Sequence, residues 1–313
     1  VESTSVDGDD VLIEAPLSFK KGIKNRKIKA IKASMPKKTK RASAVGSSFN
    51  NPPLFKSQVV FSSSESLDQI KSSGVDLIIT SPPYWDLKNY FKEGQIGQED
   101  YSHYLERMER VWGESYRVLA GAGSMWININ NRTKNKKPIL IAQDIIKSCR
   151  RVGFFLKDIL IWHKSSAIPT HKNNLVDRYE YFLWFSKAKK PYYNKRLFSQ
   201  INDYKNASLR GGFSWNINRK AGSVGKDFIH PAIYPLNLIE RIILLCSGPG
   251  GLVLDPFLGS GTTLIASLKN KRLSIGYEFN EDFYNLIVHR LNNNNIDLKQ
   301  VSFIGKKRSN KEV

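Results

Sequence analysis

The chain has 313 residues, enough for one large domain or two small ones. Its 49 Lys and Arg against 28 Asp and Glu give a net charge of +21, which argues against an acidic, solvating protein and for a polyanionic partner. No window approaches the roughly 18 uninterrupted apolar residues of a membrane span, and Val1–Leu17 lacks the basic-then-apolar order of a secretory signal.

Val1 in place of an initiating Met points to a trimmed or partial chain. Residues 1–48 carry eleven Lys and Arg against five Asp and Glu, and no acid occurs between Glu14 and Glu65. Low apolar density and repelling charge predict a disordered basic arm over 1–48 that binds nucleic acid. Within it, residues 36–41 read either as a nuclear import signal or as a plain nucleic-acid arm, leaving nucleus and bacterial cytoplasm both open. The two cysteines, Cys149 and Cys246, sit in apolar-periodic stretches and read as buried, reduced thiols of an intracellular protein.

A folded domain is expected over 49–300, with a basic tail at 301–313. Val75 to Thr80 is a short apolar run bounded by Gly74 and Pro82, as for a buried parallel strand. Apolar residues from Tyr101 to Leu119 then recur at helical spacing, with Gly121 and Gly123 expected to end the helix. Ser124 to Ile129 reads as a strand, Ile139 to Val152 as a helix ended at Gly153, and Leu156 to Trp162 and Tyr179 to Phe185 as strands. Between Ser186 and Ile229 the pattern breaks down, too long for an ordinary connection. A helix at 237–246, a strand at 252–254, a helix at 262–269, a strand at 273–277 and a helix at 281–291 complete an α/β alternation with an open sheet.

Two segments carry chemistry. Leu252 to Thr263 reads as strand, glycine turn and helix start. Asp255, Phe257, Gly259, Ser260, Gly261 and Thr262 are therefore placed to receive a nucleotide-type ligand on free helix N–H groups. Glu278 ends the next strand, where an acid binds the hydroxyls of an adenosine ribose. A nicotinamide fingerprint wants a third glycine where Leu264 stands, so S-adenosylmethionine is the better reading. Phe257 would face its sulfonium and Asp255 its amino group. The second segment, Ser81-Pro82-Pro83-Tyr84, follows directly on a buried strand. The Ser81 oxygen and the Pro82 carbonyl can accept both N–H bonds of an exocyclic amine, and Tyr84 can stack on an extruded base. No His/Cys cluster has metal spacing, so no metal is expected.

Ser81 to Tyr84, followed far downstream by Asp255-Pro256-Phe257-Leu258-Gly259-Ser260-Gly261-Thr262, resembles the amino-group DNA methyltransferases of the beta arrangement. The Ser-Pro-Pro-Tyr form is the one usual among members that modify cytosine N4. Ile161 to Lys164, Tyr179 to Tyr181 and Phe185 to Lys187 resemble the group's middle motifs, and His230 to Pro235 its helix entry. The resemblance implies a Rossmann-like, seven-stranded sheet that uses S-adenosylmethionine, and a target-recognition insertion at 187–229. In that insertion the Lys and Arg residues from Lys187 to Lys220 would meet DNA, and Tyr192, Phe198, Phe213 and Trp215 would stack or wedge. It implies direct methyl transfer to cytosine N4 in DNA, with adenine N6 methylation and a non-catalytic nucleic-acid-binding relative as alternatives. Members often carry a Gly-Asp pair that touches the donor's adenine; here that region reads Ser62-Ser63-Ser64-Glu65. Target sequence, restriction partner and oligomeric state are not implied.

Overall fold

The computed structural model describes residues 56–87, 92–164, 178–194, 197, 214–217 and 234–305. The arm at 1–48 with its 36–41 run, most of 187–229, the stretch His230–Ala232 and residues 306–313 lie outside the described residues.

The strands are Ser57–Phe61 (β1), Val75–Thr80 (β2), Leu119–Ile129 (β3), Arg132–Lys134 (β4), Lys137–Ile139 (β5), Phe155–His163 (β6), Tyr179–Ser186 (β7), Ser214–Asn216 (β8), Leu252–Asp255 (β9), Leu273–Glu278 (β10) and Val301–Ile304 (β11). The helices are Tyr101–Val118 (α1), Ile141–Val152 (α2), Leu236–Cys246 (α3), Thr262–Lys269 (α4) and Phe283–Asn293 (α5). Among the described residues one nine-stranded sheet runs β11-β1-β10-β9-β2-β3-β7-β6-β8, and β4–β5 form a separate hairpin. The strands from β11 to β3 are mutually parallel, while β7 is antiparallel to β3 and to β6.

The pleat sorts side chains onto two faces, as alternation along a strand requires. In β2, Ile78 joins one core with Met125, Ile127 and Leu183, whereas Leu77 and Ile79 join another with Trp126 and Phe182. Helix α1 contributes Tyr104, Met108, Val111 and Trp112 to the first core, beside Ile141, Ile145 and Cys149 of α2. Helix α3 covers the opposite face through Leu238, Ile239, Ile242 and Ile243. Helices α4 and α5 close the β1 end of that face with Leu264, Ile265, Ile287 and Leu291. Both thiols are buried, and burial pushes the Cys246 thiol up to about 12.

Three expectations need correction. The seven expected strands are the interior of the sheet, and one further strand, β11 or β8, flanks each edge. Residues 301–304 are not tail: Val301 packs into the core and β11 pairs with β1. A four-residue strand next to a basic run is too short to show a period. Gly121 and Gly123 do not stop α1, which ends at Val118, but lie inside β3. A Cβ on Gly123 would meet the Leu119 side chain at 2.6 Å, so glycine there lets Leu119 fold back over the strand.

Ile78 is fully buried in a central strand. Ile78→Ala is expected to lower unfolding free energy by about 2–5 kcal/mol, read as a lower urea midpoint at unchanged slope.

Candidate active site at the carboxyl edge of the sheet

Strand β2 runs through α1 to β3 on one side, and β9 runs through α4 to β10 on the other, with α1 and α4 on opposite faces. Between two such strands a crevice opens at their carboxyl ends, where α/β sheets bind ligands. The β2–β9 register, Leu77 opposite Val253 and Ile78 opposite Leu254, brings together loops that stand far apart in the chain. A cleft of about 880 Å³, its open mouth included, lies there. Ser62–Ser64 after β1, Ser81 and Pro83 after β2, Phe257, Gly259, Ser260 and Thr262 after β9, and Glu278 of β10 line it.

The glycine loop has the backbone its residues suggest. Gly259 and Gly261 adopt φ of +53° and +81°, a region that side chains disfavour. Leu258 N donates to Tyr277 O at 2.8 Å, and a Cβ on Gly276 would meet the Leu258 methyls at 2.6 Å, so this glycine allows the close packing. The Glu278 carboxylate takes one backbone N–H on each oxygen, from Gly259 at 2.7 Å and Asn280 at 2.8 Å. Burial pushes it up to about 7 despite those bonds, with the nearby Asp255 charge adding to the rise. Arg290, which the sequence did not single out, braces the loop from below. It donates to Ser260 O at 2.7 Å and to the Thr262 hydroxyl at 2.9 Å.

Asp255 does not line the cleft. It is fully buried and accepts from Thr80 (2.8 Å), Phe257 N (3.0 Å), Tyr234 (3.2 Å) and Thr263 (2.6 Å). Burial pushes its carboxyl up, and those hydrogen bonds act against the rise. With four donors on it the carboxylate is an internal tie, which replaces the expected contact with a ligand's amino group. Glu65 is likewise turned away: Arg107 and Arg110 hold it, while Ser62, Ser63 and Ser64 face the cleft.

The loop after β2 is fixed on both sides. Pro82 is buried, and Tyr104 donates to the Pro83 carbonyl at 2.7 Å. Among the described residues no donor reaches the Pro82 carbonyl and no group pairs with the Ser81 hydroxyl. Tyr84 packs against the core beside the cleft, its hydroxyl donating to Glu180 at 2.9 Å. Trp85 is held at φ +51°, its indole N–H on Glu99 O at 2.8 Å. Asp86 pairs with both Arg132 and Lys134, and the Lys134 ammonium lies 4.1 Å from the Trp85 ring centre. The β4–β5 hairpin, unforeseen in the sequence, therefore clamps this loop.

The insertion is only partly described, and two of its residues are not free for DNA. Lys187 caps α1, donating to Tyr116 O and Leu119 O at 2.8 and 3.0 Å. Trp215 is 6% exposed in the core under α3, so it cannot stack outward. Lys189, Lys190 and Tyr192 remain at the surface or partly so. Phe198, Phe213 and Lys220 lie outside the described residues. Among the described residues no group of three His, Cys, Asp or Glu side chains is placed to hold a metal ion, and no helix is long and apolar enough to cross a membrane.

The comparisons with known proteins agree with this architecture. The N6/N4 methyltransferase family model, described as DNA methylase, matches residues 75–289. Type II methyltransferase M.Cfr9I of Citrobacter freundii is 30% identical over 263 residues, 72% of this chain and 84% of its own. M.SmaI of Serratia marcescens is 30% identical over 267 residues, 74% and 89% of the two chains. These relatives lend no support to the nuclear reading of residues 36–41. Among solved structures, a DNA modification methylase of Thermus thermophilus in complex with S-adenosyl-L-methionine has a TM-score of 0.58 at 27% identity, over 79% of this chain and 99% of that one. PvuII DNA methyltransferase (cytosine-N4-specific) has a TM-score of 0.63 at 22% identity, over 78% and 89%, and shares the fold. The chain belongs to the N6/N4 family of DNA methylases.

Proposed function

We propose that this protein transfers a methyl group from S-adenosylmethionine to the N4 amino group of cytosine in DNA, with the base turned out of the helix. The observation that carries the reading is that Ser81 and Pro83 line the same cleft as Phe257, Gly259 and Glu278. The site residues fit the donor. Each Glu278 oxygen spends one lone pair on a backbone N–H and keeps another for a ribose hydroxyl. Phe257 offers a ring face toward a sulfonium. The donor supplies an electrophilic methyl group.

The protein's own part is placement and polarisation. An exocyclic amine on a pyrimidine is a poor nucleophile because its lone pair is delocalised into the ring. The Ser81 oxygen and the Pro82 carbonyl accept its two N–H bonds, which favours a pyramidal nitrogen with its lone pair directed into the cleft. Tyr84 stacks on the base and holds its plane. Acceleration then follows from orientation, with no covalent intermediate. Basic residues of the arm and of the 187–229 region neutralise phosphates around the flipped nucleotide.

Incubation with unmethylated DNA and the donor, followed by nucleoside mass spectrometry, tests the product. N4-methylcytosine is expected; N6-methyladenine would keep the site but overturn the base assignment, and donor binding without any product would favour a non-catalytic relative. Ser81→Ala is expected to lower turnover roughly tenfold to a hundredfold while donor affinity holds.

The raised Glu278 carboxyl makes donor affinity pH-dependent. Only its ionised form accepts both hydroxyls fully, so affinity is level above about pH 7 and falls as pH drops below it. Calorimetry across pH 5.5 to 8 (roughly one decade per unit at the steepest) should show this slope in the wild type and lose it in Glu278→Gln. Equal slopes in the two proteins would refute the assignment.

A further inference from the structure

Beneath the loop that carries Tyr84 lies a pair of opposite charges with almost no access to water. Lys164 is 4% exposed and Glu180 is 7% exposed. Lys164 directly follows β6, and Glu180 is the second residue of β7. Because β7 runs antiparallel to β3, with Ile129 opposite Tyr181, both residues sit at the carboxyl edge of the parallel strands, where the cleft opens. The Lys164 ammonium donates to one Glu180 oxygen at 2.6 Å, and the Tyr84 hydroxyl donates to the other at 2.9 Å. Asn128 Oδ1 stands 3.5 Å from the same hydroxyl, too far to compete.

Burying two full charges is expensive, and replacing such a pair by apolar groups of similar volume is often harmless or stabilising. Stability alone therefore does not account for this pair. What the ammonium provides is a carboxylate kept ionised and pointed in one direction, which is a strong acceptor for a phenol. A tyrosine has few rotatable bonds. Fixing its hydroxyl at the para position, with the ring wedged against the core, fixes the ring plane.

We infer that Glu180 and Lys164 are positioning residues for the methyl transfer, setting the plane of Tyr84 before a base arrives. The inference rests on the proposed stacking role of Tyr84. The same pair also abuts the insertion. The Lys164 ammonium lies 5.2 Å from the Trp162 ring centre, and the Trp162 indole N–H donates to Ile217 O at 2.6 Å, one residue beyond β8. Seating of the insertion at β8 and orientation of Tyr84 thus share one buried cluster.

The test is a mutant cycle in the full chain that never leaves a buried charge alone. Lys164→Met/Glu180→Gln keeps an acceptor for Tyr84, and Lys164→Met/Glu180→Leu removes it. Both are made with Tyr84 present and in a Tyr84→Phe background. Single-turnover transfer of labelled methyl to unmethylated, amplified genomic DNA is measured, with melting temperature and donor affinity alongside. The expected result is that the Leu form transfers at least about tenfold more slowly than the Gln form when Tyr84 is present. In the Tyr84→Phe background that gap should close to about twofold, since an effect routed through one hydroxyl cannot outlast it. Equal rates for the Gln and Leu forms with Tyr84 present, or a gap that survives Tyr84→Phe, would overturn the inference alone. A wild type that binds donor but transfers no methyl to DNA would overturn the underlying functional reading. The assay counts transfer to either base, so the choice between cytosine and adenine does not affect the outcome.

Discussion

Four hydrogen bonds converge on the Asp255 carboxylate, and their donors come from separate parts of the chain: Thr80 at the end of β2, Phe257 in the glycine loop, Thr263 in α4 and Tyr234 ahead of α3. A buried carboxylate without such donors is costly, so folding must assemble all four together. Once Thr80 is tied to Asp255, Ser81 must emerge beside the residues that lead into Gly259. The distance between the amine-polarising groups and the glycine loop is thus set by one internal acceptor. A loop built this way needs little further ordering when a ligand enters, which is where preorganised sites gain their rate.

Much of this was legible locally. Val75 to Thr80 and Leu252 to Asp255 announce themselves as apolar runs closed by proline or glycine, because a strand covered on both faces has no room for polar side chains. The glycine turn is legible because only glycine accepts the φ values seen at Gly259 and Gly261 without strain. The missing parts share a physical cause: their meaning depends on a partner distant in sequence. Asp255 reads as a ligand contact until its four donors are known. Arg290 is one more basic residue near a helix end until the glycine loop is seen above it. The β4–β5 hairpin is two three-residue strands around a turn with positive φ at Asn135 and Lys136, and neither residue is glycine.

Net positive charge is similarly divided once the fold is seen. Arg117 is consumed by Glu114 and the carbonyls of Ile70 and Leu67, Arg272 by Ser247 O and Asn270 O, and Lys187 by the end of α1. Guanidinium and ammonium groups serve here as multi-donor clasps on main-chain oxygens, a use that leaves no trace in a charge count. The cations that remain for a polyanion are fewer than the bulk figure suggests, which gives weight to those on the rim of the cleft.

The pairing of β11 with β1 carries a consequence for how the chain is strung. Val301 lies opposite Ser57 and Ile304 opposite Val60, so the first and last strands of the domain are neighbours in one parallel edge. A crossover linker of roughly a dozen residues could join them. The chain could then be reopened at an exposed turn such as Asn135–Lys136 without disturbing any strand of the main sheet. The order in which the two functional loops are synthesised is therefore a matter of covalent routing. Their meeting is decided by strand neighbours, and a polypeptide in which the glycine loop preceded Ser81 could assemble the same cleft.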